Sequence, residues 1–378
     1  MNSINNRFSV LIPDGESPFA LAVTRCLGQF KGIRVDICSS DFRTPNRFSK
    51  HVNDFFCRDS QDNDENRLEK LRHQLKMVKP DLVLPVSESA IRFLSMSGHH
   101  LKDVSRITCQ PDIEYFDIAN DKWRLSEFLK ARGMPRPDTF LYNWDSETVR
   151  MVSDLEYPVL AKPTQGGYGQ GIERIDNQRE LQNYAERHRS SGPFIVQSYI
   201  EGYDIDCSVL CRQGKILAYT IQKGIIPGYH RFGSASGVEF VHCDEVYGIV
   251  KDLMASLHWS GVAHIDLRYD QKNNRFNIIE VNPRYWGSLL GSLIAGVNFP
   301  HLACISEMGI DFPMPAYKEV RFLAGKAAMK SLWSCDGLGF NINDTTIQYI
   351  MKDPLPDIYQ AVSGEYNGMM NRVLNLFI

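Results

Sequence analysis

At 378 residues the chain exceeds the ~250–300 at which a single core stops growing, so two or three packed units are expected. Hydrophobic residues make up 43%, charged residues 23%, and the formal charge is only -3, a balance that points to no nucleic-acid or membrane-surface partner. Apolar runs such as 194–196 and 278–281, the latter with Glu280 inside it, fall far short of the ~20 residues that span a bilayer. Residues 1–7 lack the basic-then-apolar pattern of a leader, so a cytoplasmic location is expected.

The first third alternates strand and helix: strand 9–12, helix 17–29, strand 33–38, helix 66–76, strand 82–86. That order predicts a parallel, doubly wound sheet. Pro13-Asp14-Gly15-Glu16-Ser17 could hold an anion at the following helix N-terminus. It lacks GxGxxG, and a turn capped by a serine accounts for it more simply. Asn120-Asp121-Lys122 opens an amphipathic helix over 123–131 that stops at Gly133 before Pro135 and Pro137. A domain boundary is placed just before it, giving an N-terminal α/β domain (1–117), a mixed α+β domain (118–310) and a C-terminal segment (311–378). Nine cysteines show no CxxC pairing. Cys207 and Cys211 fall on one strand face and read as core, and scattered thiols in odd number suit a reducing compartment.

The strand 159–163 ends in Lys162 and feeds Gly166, Gly167, Gly169 and Gly171. Glycines let backbone N–H groups converge on an anion, and a lysine at the strand end supplies counter-charge. The lysine precedes the glycines, so this is no Walker loop. Taken alone the segment reads equally as a phosphate lid or a flexible hairpin. Further on, 203–210 alternates with period two, placing Asp204, Asp206 and Ser208 on one face, either as a solvated surface or as a nucleotide-facing strand.

The most specific pattern is 261–270 followed, after a polar turn, by 276–284. The two stretches predict an antiparallel hairpin. Glu280 and Asn282 share a side, and Asp266 can face them. Three oxygen ligands so arranged suit Mg²⁺, and a carboxylate amid Ile278-Ile279-Glu280-Val281 is costly to bury without a partner. Arg284 follows at the same parity, where a guanidinium could meet phosphate or form a structural ion pair.

In this order, Lys122, Lys162 with its glycine loop, 197–202, Asp266 and Glu280-Val281-Asn282-Pro283-Arg284 resemble the ATP-grasp superfamily, in particular carboxylate–amine ligases related to carbamoyl phosphate synthase large subunit and biotin carboxylase. The similarity covers roughly 119–298. It implies a pre-ATP-grasp parallel sheet followed by a two-lobed ATP-grasp fold, with a lid over about 118–196 and a catalytic part over about 197–310. It also implies that Lys122 and Lys162 contact ATP phosphates under the loop of Gly166, Gly167, Gly169 and Gly171. Gln197, where the family usually has glutamate, Ser198 and Ile200 would meet the adenine, and Asp204 the ribose. Asp266, Glu280 and Asn282 would hold Mg²⁺, replaceable by Mn²⁺, with Arg284 and Lys162 in catalytic positions. Asp266 stands where the family often has Glu or Gln.

The implied reaction joins a small-molecule carboxylate to an amine through an acyl phosphate. An ATP-grasp kinase, a carboxylating enzyme and a non-catalytic nucleotide-binding scaffold stay open beside it. His230 and Arg231, in a glycine-rich stretch where substrate-side loops lie, are candidates for a substrate carboxylate. For 311–378, completing the N-terminal sheet, capping the ATP-binding domain and making a homodimer contact all stay open.

Overall fold

The structure is a computed structural model that describes residues 7–59, 63–145, 155–167, 169–228, 232–325, 327–328 and 341–363. It opens with β1 (Phe8–Ile12), α1 (Ala20–Leu27), β2 (Ile33–Ser39), β3 (Val52–Cys57), α2 (Asp64–Val78), β4 (Leu82–Val83), α3 (Glu88–Ser97) and β5 (Arg106–Ile107). These five strands form one parallel sheet in the order β3-β2-β1-β4-β5. Val10, Leu11 and Ile12 are all fully buried, as expected of a central strand covered on both faces. Because β1 has β2 on one side and β4 on the other, the crest of the sheet splits there. The 13–17 segment occupies that crest as a turn, closed by Ser17 N–H donating to the Asp14 carbonyl at 2.9 Å. The Asp14 carboxylate accepts from Val86 N–H at 3.1 Å and Ser87 N–H at 2.6 Å, at the start of α3. Burial pushes its pKa up to about 6.

Next come α4 (Ile113–Ala119) and α5 (Lys122–Ala131), then β6 (Thr139–Tyr142), β7 (Val159–Pro163), β8 (Glu173–Ile175), α6 (Gln178–Arg187) and β9 (Phe194–Ser198). The Asp121 side chain caps α5 by accepting from Trp123 and Arg124 N–H. Strands β6-β9-β7-β8 make an antiparallel sheet with its own small core of Tyr142, Val159, Tyr184 and Phe194. Helix α5 packs elsewhere: Leu125, Phe128 and Leu129 belong to the core beneath the large sheet.

That sheet is built from β10 (Gly202–Arg212), β11 (Lys215–Ile226), β12 (Gly237–Val241), β13 (Gly261–Asp270) and β14 (Arg275–Asn282). Helix α7 (Asp244–Ser256) covers one face, and α8 (Leu289–Ala295) with α9 (Phe299–Glu307) lies on the other side, towards the N-terminal sheet. The order is β14-β13-β10-β11-β12-β15, where β15 is Arg321–Leu323 of the C-terminal segment, antiparallel to β12. The C-terminal segment therefore extends this sheet rather than the N-terminal one. Odd positions of β10, including Cys207 and Cys211, sit in the α7 core. Even positions turn apolar at Leu210, beneath Trp286 and α8, and polar at Ser208, Asp206 and Asp204.

Among the described residues no single helix is long and apolar enough to cross a membrane; α8 and α9 are apolar yet bent by 83° and largely buried.

Past α10 (Ile347–Lys352), Asp353 returns to the N-terminal layer. It is 2% exposed and accepts from Arg25 Nε at 3.3 Å, Ser49 Oγ at 2.7 Å and Lys50 N–H at 2.9 Å, while Asp357 also pairs with Arg25. Removing one partner of a buried pair leaves the other charge desolvated. Asp353→Ala is expected to lower unfolding stability by about 3 kcal/mol, measured by chemical denaturation, and Asp353→Asn by less.

Candidate active site

Three strand ends and one helix N-terminus converge at the interface of the two antiparallel sheets. Lys162 stands near the end of β7, and its strand is held against β9 by the pairings Leu160↔Gln197 and Lys162↔Ile195. The ammonium is 5% exposed and donates to Gln197 Oε1 at 2.8 Å, while Gln197 Nε2 donates to Thr139 Oγ1 at 3.1 Å. Burial pushes the Lys162 pKa down to about 8; Glu280 attracts its proton and Lys122 opposes it. Negative charge brought beside this ammonium would raise its pKa again.

Lys122, the first residue of α5, is tied to the glycine loop at both ends. Its N–H donates to the Thr164 carbonyl at 2.8 Å and its Nζ to the Gly166 carbonyl at 2.8 Å. The same Nζ lies 3.3 Å from Glu280 Oε1. Gly166, Gly169 and Gly171 all take positive φ, and a Cβ on Gly169 would stand 2.5 Å from the Phe232 carbonyl oxygen. A Cβ on Gly167 would lie 3.7 Å from Arg284 Nη2, so the loop and Arg284 are neighbours.

The β13–β14 hairpin places Asp266 opposite Glu280 and His264 opposite Asn282, with an irregular register just beyond Asp266. Asn282 Nδ2 donates to Asp266 Oδ2 at 3.2 Å. Three oxygen-bearing side chains thus share one face. Burial, reinforced by Asp206 and Glu280, raises the Asp266 pKa well above the usual carboxylate range. A compensating cation would reverse that shift.

Arg284 bridges this sheet to the N-terminal layer. Its Nε donates to Glu88 Oε1 at 2.8 Å, its Nη2 to Asn282 Oδ1 at 2.9 Å, and its guanidinium lies 4.6 Å from the centre of the Phe19 ring. Of the two readings of this residue in the sequence, the structure shows the ion pair, with Glu88, and the guanidinium also borders the glycine loop. Asp204 likewise has a partner, Arg268 Nη1 at 2.5 Å, and Arg268 Nε also holds the Ile200 carbonyl at 2.7 Å. Ser198, at the end of β9, and Ile200, 9% exposed, line the connection between the two sheets.

Lys122, Lys162, Gln197, Asp266, Glu280, Asn282 and Arg284 are therefore linked by direct contacts or through shared neighbours. His230 and Arg231 lie outside the described residues. Sequence reasoning missed Glu88, Arg268 and His264. His264 shares the parity of Asp266 within 261–270, which was the available signal; nothing local marks Glu88, 196 residues from Arg284.

The region that holds these residues is similar to known proteins. A family model described as an ATP-grasp domain matches residues 119–288. The C-terminal section of a carbamoyl phosphate synthase large chain from Methanopyrus kandleri is 27% identical over 216 residues, covering 54% of this chain and 37% of that protein. A carbamoyl phosphate synthase large chain from Thermomicrobium roseum is 24% identical over 186 residues, covering 46% and 17%. The chain thus spans well under half the length of these curated relatives. Among solved structures, N5-carboxyaminoimidazole synthetase from Staphylococcus aureus, complexed with ADP, superposes with a TM-score of 0.66 at 17% identity, covering 84% of this chain and 83% of that one. The biotin carboxylase domain of Hydrogenobacter thermophilus 2-oxoglutarate carboxylase, in complex with MgADP and bicarbonate, gives 0.65 at 18% identity, covering 83% and 73%. These two likenesses concern the fold. Over residues 119–288 the chain is thus similar to ATP-grasp domains, and its fold is the one these structures share.

Proposed function

We propose that this chain is an ATP-dependent carboxylate–amine ligase that activates a carboxylate as an acyl phosphate, releases ADP and phosphate, and forms an amide. The observation that carries the reading is the convergence of two buried lysines, a positive-φ glycine loop and a three-oxygen face on one point. No side-chain nucleophile is required by this chemistry. The four-stranded sheet within 118–196 serves as the lid, 197–310 as the catalytic part, 1–117 as the N-terminal domain and 311–378 as the C-terminal segment.

The donor set fits Mg²⁺: Asp266, Glu280 and Asn282 all offer oxygen, the hard ligand this ion prefers, and Lys122 stands beside Glu280 as counter-charge. Bound there, Mg²⁺ or Mn²⁺ would neutralise phosphate charge and polarise the γ-phosphoryl group. Lys162 and Lys122 bind triphosphate oxygens, and Arg284, oriented by Glu88, offsets charge on the transferring group. The loop of Gly166, Gly167, Gly169 and Gly171 approaches the phosphates by backbone N–H and excludes water from the activated acyl group. Gln197, Ser198 and Ile200 hold the adenine and Asp204 the ribose, exchanging its Arg268 contact for a hydroxyl. His230 and Arg231 remain proposed contacts of the substrate carboxylate.

A pairwise screen of carboxylates and amines for ADP and phosphate release, read with mass spectrometry, tests the proposal. An amide that needs both partners supports it. A stable phosphorylated or carboxylated product indicates the kinase or carboxylase reading, and background ADP release with every pair indicates a nucleotide-binding scaffold.

A further inference from the structure

Two side chains on the polar face, Asp206 and His264, are used by nothing above, and both lie beside Asp266. Asp206 and Asp266 are direct cross-strand partners on β10 and β13, as are Ser208 and His264. His264 Nε2 lies 3.4 Å from Asp266 Oδ1 and 3.9 Å from Asp206 Oδ2, and the three ligand atoms fall within 4.8 Å of one another. Both separations are too long or borderline for N–H···O hydrogen bonds. Two carboxylates and an imidazole therefore face one another at separations longer than those of good hydrogen bonds.

His264 and Asp266 are held from behind, and Asp206 is held at the oxygen that faces His264. His264 Nδ1 meets Ser208 Oγ at 2.9 Å, which with the proton on Nδ1 leaves the Nε2 lone pair facing the carboxylates. Asp206 Oδ2 accepts from Gln222 Nε2 at 3.1 Å, and Gln222 Oε1 in turn accepts from Ser288 Oγ at 2.6 Å. Asp266 Oδ2 is taken by Asn282, so its Oδ1 is the oxygen presented to His264. The His264 ring lies parallel to Trp286, at 13° and 5.6 Å between centres. Partners that orient the far side of a ligand, as Ser208 does for His264 and Asn282 for Asp266, are what metal sites use to aim their donor atoms. Bonds of ~2.1 Å put neighbouring ligand atoms roughly 3.0–3.4 Å apart, a spacing the His264–Asp266 separation of 3.4 Å meets and the His264–Asp206 separation of 3.9 Å exceeds slightly.

We propose that Asp206, His264 and Asp266 form a second divalent-cation position, one imidazole and two carboxylates, that takes a transition-metal ion such as Mn²⁺ in preference to Mg²⁺. Imidazole is a poor ligand for Mg²⁺ and a good one for later first-row ions, so the nitrogen supplies the selectivity. Asp266 then faces two positions, one oxygen toward His264 and the other toward Asn282. Three protein ligands leave coordination places for water or a substrate oxygen.

The test uses nucleotide-free full-length protein, so it does not depend on ligase activity. Mn²⁺ is the probe because it avoids thiols such as the exposed Cys57. Free Mn²⁺ is followed by electron paramagnetic resonance in a hundredfold excess of Mg²⁺, and tryptophan fluorescence is followed alongside through Trp286. The expected result is one Mn²⁺ per chain retained against Mg²⁺, with quenching. His264→Gln and Asp206→Asn should each weaken binding at least tenfold, while Glu280→Gln, at the other position, should keep it. Asp206→Asn also guards against misfolding: it removes a buried like charge, so in chelator its thermal midpoint at pH 8 should equal or exceed that of the wild type. Complete displacement by Mg²⁺, unchanged binding in folded His264→Gln and Asp206→Asn, or loss of the Mn²⁺ in Glu280→Gln alone would each overturn the proposal.

Discussion

Replacing Glu280 by glutamine is expected to reduce product formation about 10³-fold at ordinary Mg²⁺ while leaving the protein folded. Glutamine keeps the size of the side chain, so the hairpin register that sets Asp266 opposite position 280 is undisturbed. Lys122 loses its carboxylate partner at 3.3 Å but keeps the Gly166 carbonyl at 2.8 Å, so the tether between α5 and the loop survives. The variant should therefore retain its thermal unfolding midpoint within a few degrees and lose turnover through kcat. Raising Mg²⁺ or substituting Mn²⁺ should recover part of the rate. Unchanged product formation in Glu280→Gln would remove Glu280 from the metal face and with it the central assignment.

The second large effect belongs to Lys162. Lys162→Met should lower kcat/KM for ATP by about 10²–10³-fold, since a buried donor aimed at developing phosphate charge is lost. The pH dependence gives a separate handle. Lys162 titrates at about 8 in the folded chain against an ordinary 10.5, so the folded state binds this proton less readily than the unfolded state. Folding stability consequently declines as pH falls from about 10.5 towards about 8 and carries the full penalty below that, and Lys162→Met should abolish this component of the curve. Activity runs the other way: KM for ATP in the wild type should climb above pH 8 as the ammonium loses its proton. A wild-type KM that stays flat through that range, or that rises identically in Lys162→Met, would show that another group governs the profile.

What could be read from the sequence was whatever depends on short-range parity. The strand over 159–163 ends where its pattern says, and the hairpin over 261–270 and 275–282 brings Asp266 to Glu280 because both alternate with period two around a polar turn. Helix α5 starts at the residue its Asp121 cap allows. Contacts between distant elements were not legible. Arg284 gives no hint that Glu88 holds it, nor Gln197 that Lys162 and Thr139 occupy its two ends. Parity alone sets His264 on the side of Asp266, whereas only the β10 pairing brings Asp206 alongside. The edge strand β3 was also missed: Asn53 and Asp54 interrupt its apolar pattern, and they are tolerated because that edge is exposed. Residues 311–378 carried no signal for their place, since a three-residue strand such as β15 is defined by the partner it meets.

The reach of Asp353 back to Arg25, across 328 residues, bears on how the chain acquires its structure during synthesis. Strands β1, β2, β4 and β5 can associate as soon as the first hundred or so residues have emerged, but the guanidinium on α1 meets its counter-ion only once the 328 residues from Arg25 to Asp353 have been made. At translation rates of ~5–20 residues per second that interval is roughly 16–66 s. Over that time the early layer is bound to be looser around α1 than in the finished molecule, and closure of so long a loop is the slow kind of contact. A nascent chain arrested before residue 353 should accordingly show α1 more open to protease than the same helix in the released protein.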